Sequence, residues 1–485
     1  CYYDLDIPLA ARIVRAEGYD WFNFSAGYQS QRPYPVYAEA WQQCETASTP
    51  DCVVWPGHEY PKDHLGHSGS FAVRGERSVA DLFGSNPIPR KEADLIYREL
   101  YALFEQYREI EAAGSVAVPT HSLREAGGVP GSRGNMGRGL PMTVLADPER
   151  VRVIDFMTDS PDDPAYHDLY YFLLNRGLRI GAAGFTDACM DIPGARPGDT
   201  RTYVYLGEKP VTLENVVEAM KSRYCFATTG PFVEFKVDGH IMGDVLPADG
   251  ETRTLEISAW APAVEYGAAR PGGTITRIQI IRNGSLFREW DLTEESRENA
   301  VETVAVSDTE RCWYAARVYC SLDGHAAHTS PVFFEPEGWQ SPEPLEAAIE
   351  ARILNDSTGL PIDARVEVIE YGKDEARVVE THRADGGALA LAWPARMRLR
   401  IMAPGYEDLI FSPFIDYDPV YLDLVRPCQP KDLTDPAYYE KMASALKSIR
   451  TDFRLKKKEL EGETQVQAVG LGFIDFNAVV GEAGH

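Results

Sequence analysis

No apolar run in this 485-residue chain approaches the eighteen or so residues of a membrane-spanning helix, so direct membrane insertion is not expected. Basic residues are also scarce. Lys and Arg number 48 against 74 Asp and Glu, a formal net charge of −26. A surface of that sign repels phosphate backbones and anionic headgroups, which argues against nucleic-acid and membrane-surface partners. There is no internal repeat and no long low-complexity tract, so neither a solenoid nor a disordered scaffold fits. The sequence shows no methionine and no signal peptide before Cys1, and the expectation is that an upstream segment was removed or left out. On that basis Cys1 reads as one candidate for the acylated end of a lipoprotein.

Eight cysteines are present. Cys44 and Cys52 bracket the polar "CETASTPDC", a spacing that suits a disulfide in an exporting compartment. Cys312 and Cys320 end one apparent strand, "CWYAARVYC", and are too far apart along it to bridge each other.

What is there supports several cores. Hydrophobic residues make up 44% and aromatics 11%, and at this length two to four domains are expected. Residues 1–232 alternate strand-like and helix-like segments. "DIPLAARIVRAEG" reads as a helix stopping at Gly18. "KEADLIYRELYALFEQYREIEAAG" places Ile96, Leu100, Leu103, Phe104, Tyr107 and Ile110 at helical spacing before Gly114. "PAYHDLYYFLLNRG" is opened by proline and closed by glycine. Alternation of this kind predicts parallel α/β architecture, as a barrel or an open sheet. Residues 233–337 change to short strands, with a hairpin at the "NG" of 283–284, and read as a β-sandwich. Residues 338–428 form a further small β domain after a Pro-rich linker. Residues 429–485 read as a helical or irregular tail.

The polar candidates lie after predicted strands. "WPGHEYPKDHLGH", read as a loop following "CVVW", holds Glu59, His64 and His67. His121 ends "SVAVPTH", Asp155 ends "RVRVID" and Asp187 follows "LRIGAAGF". Residues at the carboxyl ends of successive strands converge on one face of a barrel or sheet. Carboxylate and imidazole together suit zinc, manganese or iron, and a bound cation makes hydroxide from water near neutral pH. Each residue also has a plainer reading: His121 as a turn cap, Asp155 as a strand-end acid, Asp187 as a helix N-cap. His325 and His328, in "DGHAAH", read as a solvated hairpin loop.

The stretch "LLNRGLRIGAAGFTDACMDIPGARPGDTRTYVYLGEKPVTLENVVEAMKSRYCFATTGPFVEFKVDGHIMGDVL", residues 173–246, resembles the CehA/McbA-type metallohydrolases of the PHP (polymerase and histidinol phosphatase) superfamily. "FTDA", "RTYVY", "SRYCFATTGPF" and "VDGHIMGD" occur in that family's order and at similar spacing. The resemblance implies a PHP-type distorted β/α barrel followed by a β-sandwich and a transthyretin-like (carboxypeptidase-regulatory-like) small β domain. It implies Glu59, His64, His67, His121 and Asp187 as metal ligands, to which the strand-end position adds Asp155, with Arg201, and Lys221 or Arg223, stabilising an anionic intermediate. The implied activity is hydrolysis of an ester, carbamate or phosphoester in an exported, periplasmic or extracellular setting. A small-molecule or oligomeric ester-type substrate is the expected partner, and a homo-oligomer is left open. The sequence departs from the family in lacking the H-x-H pair of the first strand, which would align before Cys1. "SAG" stands at 25–27 for a "D-H", and Cys189 for a histidine. A non-catalytic PHP-fold surface-assembly or glycan-binding protein with a degenerate metal site is therefore the alternative.

Overall fold

The computed structural model describes residues 7–25, 37–63, 65–72, 101–124, 137–157, 162–186, 188, 197–198, 200–261, 264–265, 270–271, 273–292, 299–321, 325–372, 376–425 and 430–458.

Helix α1 (Ile7–Ala16) buries Ile7, Ala10, Ala11 and Val14, an i, i+3, i+4, i+7 stripe, and the chain leaves it through Gly18 at φ +78°. The stripe packs with Cys44 of α2 (Tyr37–Ala47) and with Phe24 and Val54 of strands β1 (Trp21–Ser25) and β2 (Val53–Asp63). The β1–β2 pairing is parallel. Strand β3 (Gly66–Ser70) then returns antiparallel to β2, and β4 (Ala117–Pro119) antiparallel to β3. Helix α3 (Leu103–Ala112) buries Leu103, Phe104, Tyr107 and Ile110 at the expected spacing and ends before Gly114 at φ +83°, but it starts after Ala102 in extended backbone, and Ile96 and Leu100 of the predicted helix lie outside the described residues.

Helix α4 (Leu140–Ala146) is buried along its whole length. Strands β5 (Val153–Asp155) and β6 (Gly181–Ala183) pair in parallel on either side of α5 (Pro164–Asn175), whose N-cap Asp163 accepts from the Ala165 amide at 2.9 Å. Strand β7 (Arg201–Val204), helix α6 (Leu213–Lys221) and strand β8 (Cys225–Thr228) follow, with β7 and β8 antiparallel.

These pairings overturn the expected β/α barrel. Among the described residues, strand accounts for 41% and helix for 24%, and no α/β barrel is formed. The helix-and-strand alternation of the first half is present, but among the described residues parallel pairing is confined there to β1–β2 and β5–β6. The physical reason lies in the opening histidine-rich stretch. It was read as a loop, yet it continues β2 to Asp63 and its last two residues open β3, so an antiparallel strand occupies the edge of β2 that a barrel would give to a parallel one. Strands β7 and β8 likewise turn back on each other and join the sheet of the following unit.

That unit is a β-sandwich. One sheet runs in the order Val245–Pro247, Val332–Glu335, Cys312–Cys320, Ala326–Thr329, β8, β7, with Ile275–Arg282 and Ser285–Asp291 attached through Cys312–Cys320. The other contains His240–Ile241, Phe232–Val237, Arg253–Trp260 and Asn299–Val306. Alternate residues such as Val233, Phe235, Leu255, Ile257, Ile278, Ile280 and Val318 fill the space between them. The "NG" hairpin is as expected: Arg282 pairs with Ser285 across Asn283 and Gly284, at φ +49° and +84°.

Two motifs from the 173–246 stretch lock together here. Gly243, at φ +96°, lets the "GD" turn close on the Ser222–Arg223 turn, and Asp244 accepts from the Tyr224 hydroxyl at 3.0 Å and the Ile241 amide at 3.1 Å.

A third unit pairs Ala388–Pro394, Glu346–Asn355 and Ile449–Leu455 in one sheet, and Arg377–Ala384, Ala364–Glu370, Arg398–Met402 and Leu409–Phe411 in another. Sheets thus cross the sequence-based boundaries at 232 and 428. The tail, read as helical or irregular, holds the helix Pro436–Leu446 and then a strand, because Ile449, Phe453 and Leu455 bury with a period of two. Among the described residues no helix is long and apolar enough to cross a membrane.

Candidate functional site

Strand β3 carries His67, and β4 runs beside it into His121. The Thr120 amide donates to the His67 carbonyl at 3.1 Å, continuing the β3–β4 ladder by one residue. His121 then takes φ +34°, an uncommon backbone state for a residue other than glycine. The result brings Nδ1 of His67 to 3.0 Å from Nε2 of His121, with the rings edge to face at 5.1 Å between centroids. His121 is buried and His67 half-buried.

Asp155, fully buried at the end of β5, ties the surrounding loops together. One oxygen accepts from the His121 amide at 3.4 Å, the other from the amides of Met157 at 3.3 Å and Phe185 at 3.2 Å. Hydrogen bonds of this kind satisfy a carboxylate removed from water. They also join the segments after β4, β5 and β6 at one point. The Phe185 ring lies over β3 where Gly69 leaves room, and a Cβ there would approach the ring to 2.7 Å. One contact of Asp155 with the site is thus the His121 amide.

Two imidazole nitrogens 3.0 Å apart read either as a ring-to-ring hydrogen bond or as two cis ligands of one ion. Metal–nitrogen bonds of about 2.0–2.1 Å place cis ligands roughly 3 Å apart, so the donor set fits a first-row cation. Among the described residues no group of three or more His, Cys, Asp or Glu side chains is placed to hold a metal. Of the other expected ligands, the Glu59 side chain, His64 and Asp187 lie outside the described residues, as do the His58 side chain and Cys189. The Glu59 backbone pairs with Gly69, which puts Glu59 on the strand beside His67.

Arg201, expected to stabilise an anionic intermediate, makes two described contacts. Its guanidinium stands 4.8 Å from the Tyr19 ring centre and its Nε donates to the Gly198 carbonyl at 3.3 Å, so these contacts face the end of α1. Burial pushes the Tyr19 hydroxyl up to about 12, with Arg201 opposing. Lys221 and Arg223 lie beside Arg152, which precedes β5, whereas Asp155 ends that strand. They belong to the other end of β5 from the histidine pair.

A second histidine cluster was missed in the sequence. His328 was read as a solvated loop residue; it is on the buried strand Ala326–Thr329 at 1% exposure. Its Nδ1–H donates to the Thr329 carbonyl at 2.9 Å, which leaves Nε2 to accept from the Tyr171 hydroxyl at 2.8 Å. His167 of α5 packs at 5.6 Å from His328 and 5.9 Å from Tyr171. Arg317 and Asp162 form an ion pair at the edge of this group. Burial, then Arg317, lowers the His167 imidazole to about 3, and burial holds His328 well below its ordinary value. The signal available was "HAAHTSPVFF", whose apolar continuation is that of a buried strand. His325 is half-buried, with Nδ1 at 2.6 Å from the Thr229 carbonyl.

Cys44 and Cys52, expected as a disulfide, are free thiols in one apolar cluster. Burial raises them to about 12 and about 11.

No family model matches the chain, and no curated protein does. Among solved structures, the CARDB domain of PF1109 from Pyrococcus furiosus overlaps at 15% identity, over 22% of this chain and 97% of that domain, with a TM-score of 0.17. The major pilin subunit BcpA of Bacillus cereus overlaps at 8% identity, over 48% of this chain and 72% of its own, with a TM-score of 0.15. The pilus backbone RrgB of Streptococcus pneumoniae overlaps at 10% identity over 36% of this chain and 51% of its own, with a TM-score of 0.13. Superpositions this partial assign neither fold nor function to the chain.

Proposed function

We propose that this protein is a divalent-metal-dependent hydrolase in which His67 and His121 supply two ligands. The observation that carries the reading is the 3.0 Å approach of two ring nitrogens from residues 54 apart in sequence. The motifs of residues 173–246 favour the same chemistry from a separate part of the chain. When bound, zinc, manganese or iron supplies an activated water for attack on an ester, carbamate or phosphoester. The chain's own residues do the rest. His67 and His121 would hold the ion from adjacent strands, and Asp155 accepts from the His121 amide. An exported location, periplasmic or extracellular, belongs to the same proposal.

The test is turnover on a panel of ester, carbamate and phosphoester substrates after loading with each metal. Wild-type turnover that falls at least a hundredfold in His121→Ala supports the reading. Turnover indifferent to that substitution contradicts it.

One observation favours a second reading. Among the described residues only two candidate ligands meet, while strands dominate the rest of the chain. A non-catalytic surface-assembly or glycan-binding protein fits that balance. It predicts a chain that takes up no metal and turns over nothing in the panel.

A further inference from the structure

Two polar atoms beside His121 have no task in holding a metal. Thr120 and Ser122, on either side of it, are 4% and 0% exposed. Neither hydroxyl oxygen has a hydrogen-bond partner among the described residues. A hydroxyl taken out of water and left unbonded is a net loss to folding, and most buried polar groups avoid it.

Register distinguishes the two. Ser68 pairs with Pro119, and the Thr120 amide donates to the His67 carbonyl, so Thr120 stands opposite His67 on the β3–β4 ladder. Residues opposite each other in an antiparallel ladder share a face of the sheet. The Thr120 side chain is therefore on the face that carries His67. Its methyl carbon is turned toward Gly69, 3.4 Å from the position a Cβ there would take and next to the Phe185 ring. The hydroxyl is the other branch at the same carbon, on that face and with no protein group to bond. Ser122 instead packs against Gly137, its Cβ 2.7 Å from where a Cβ on that glycine would stand. His121, at φ +34°, brings its Nε2 to 3.0 Å from His67. Two ring nitrogens and one unbonded hydroxyl thus gather at the ends of β3 and β4.

We propose that Thr120 is a substrate-binding residue of this site, its hydroxyl donating a hydrogen bond to an oxygen of the scissile ester-type group. The role rests on the hydrolase reading and deepens it. An ester oxygen only accepts, and a hydroxyl is free to turn its proton toward it. A buried group that lowers stability in the free chain and is bonded only in the complex is the pattern expected of a functional site.

The experiment compares wild type, Thr120→Val, Thr120→Ser and Ser122→Ala as full chains, by urea denaturation without metal and by turnover on the substrate panel after metal loading. Valine keeps the shape of threonine and removes the hydroxyl, so the urea midpoint of Thr120→Val is expected to equal or exceed that of wild type. Its kcat/KM is expected to fall about tenfold at unchanged metal content, while Thr120→Ser stays within about threefold of wild type. Ser122→Ala is expected to leave kcat/KM unchanged. A lower midpoint in Thr120→Val would show a hydroxyl already bonded within the fold and overturns the inference. Turnover that survives Thr120→Val while falling in His121→Ala overturns it alone, as does an equal fall in Ser122→Ala. A wild type inactive on every substrate of the panel removes the hydrolase reading and the role of Thr120 with it.

Discussion

Arg398 grips Glu105 across 293 residues, with its Nε 2.8 Å from one carboxylate oxygen and both side chains buried. The other carboxylate oxygen accepts from the Ala102 amide at 2.8 Å, capping α3, and the guanidinium lies 3.8 Å from the Tyr371 ring centre. One ion pair thus couples the helix that backs β4 to the third β unit. Removing a partner leaves a buried charge without compensation. Glu105→Ala is expected to lower stability by about 3–5 kcal/mol, and Arg398→Met added to it to recover part of the loss. Urea denaturation of the single and double variants measures this. A single variant as stable as wild type would contradict it.

The buried histidines set an acid limit. His167 and His328 are held below the ordinary value near 6.5, His167 at about 3, so the folded chain keeps them neutral where the unfolded chain takes up protons. Their contribution is present above about pH 6.5 and is lost as pH falls from there toward 3, at up to about 1.4 kcal/mol per pH unit for each histidine. Urea midpoints at pH 7.5 and 5.0 should fall less in His167→Phe than in wild type. Equal falls would show that His167 does not report this linkage.

Gly243 should be intolerant of a side chain. An added Cβ would lie 2.6 Å from the Ser222 carbonyl oxygen, at φ +96°. Gly243→Ala is expected to cost about 2 kcal/mol or more, whereas Gly239→Ala, at φ +87° but in open space, should cost only its backbone strain. Thermal midpoints of the two variants compare them directly, and equal losses would remove the packing part of the argument.

Cys44 and Cys52 should resist alkylation at pH 8 in the folded protein and react once it unfolds, because burial disfavours both thiolates. Peptide mapping after a timed iodoacetamide pulse reads both sites. A Cys44–Cys52 disulfide peptide in a non-reducing digest would contradict the free-thiol state and revive the reading drawn from "CETASTPDC".

Local features were the most legible in the sequence. The α1 and α3 stripes, the Pro-to-Gly bounds of α5 and the "NG" hairpin follow from spacing and turn chemistry, which act within a few residues. Pairing partners were not legible. "GHSGS" has little strand propensity, and it becomes β3 only because β2 and β4 flank it with open edges. That single strand converts a predicted barrel into antiparallel sheet. Of the candidate site, the His67 and His121 rings approach each other, and the Asp155 carboxylate lies at the His121 amide. What the spacing left out is that Asp155 reaches the pair through the His121 amide, a contact made by the loop geometry at φ +34°. The contact of Arg201 with the Tyr19 ring joins residues far apart in sequence, and spacing gave no sign of it.

The most direct test of the metal reading is elemental mass spectrometry on the natively purified chain, without added ions, beside His67→Ala and His121→Ala. At least one equivalent of zinc, manganese or iron per wild-type chain, falling below about a tenth of that in both variants, is the predicted result. A wild-type chain that is metal-free and takes up none on incubation, or a metal content unchanged in both variants, would contradict the assignment of the His67–His121 pair.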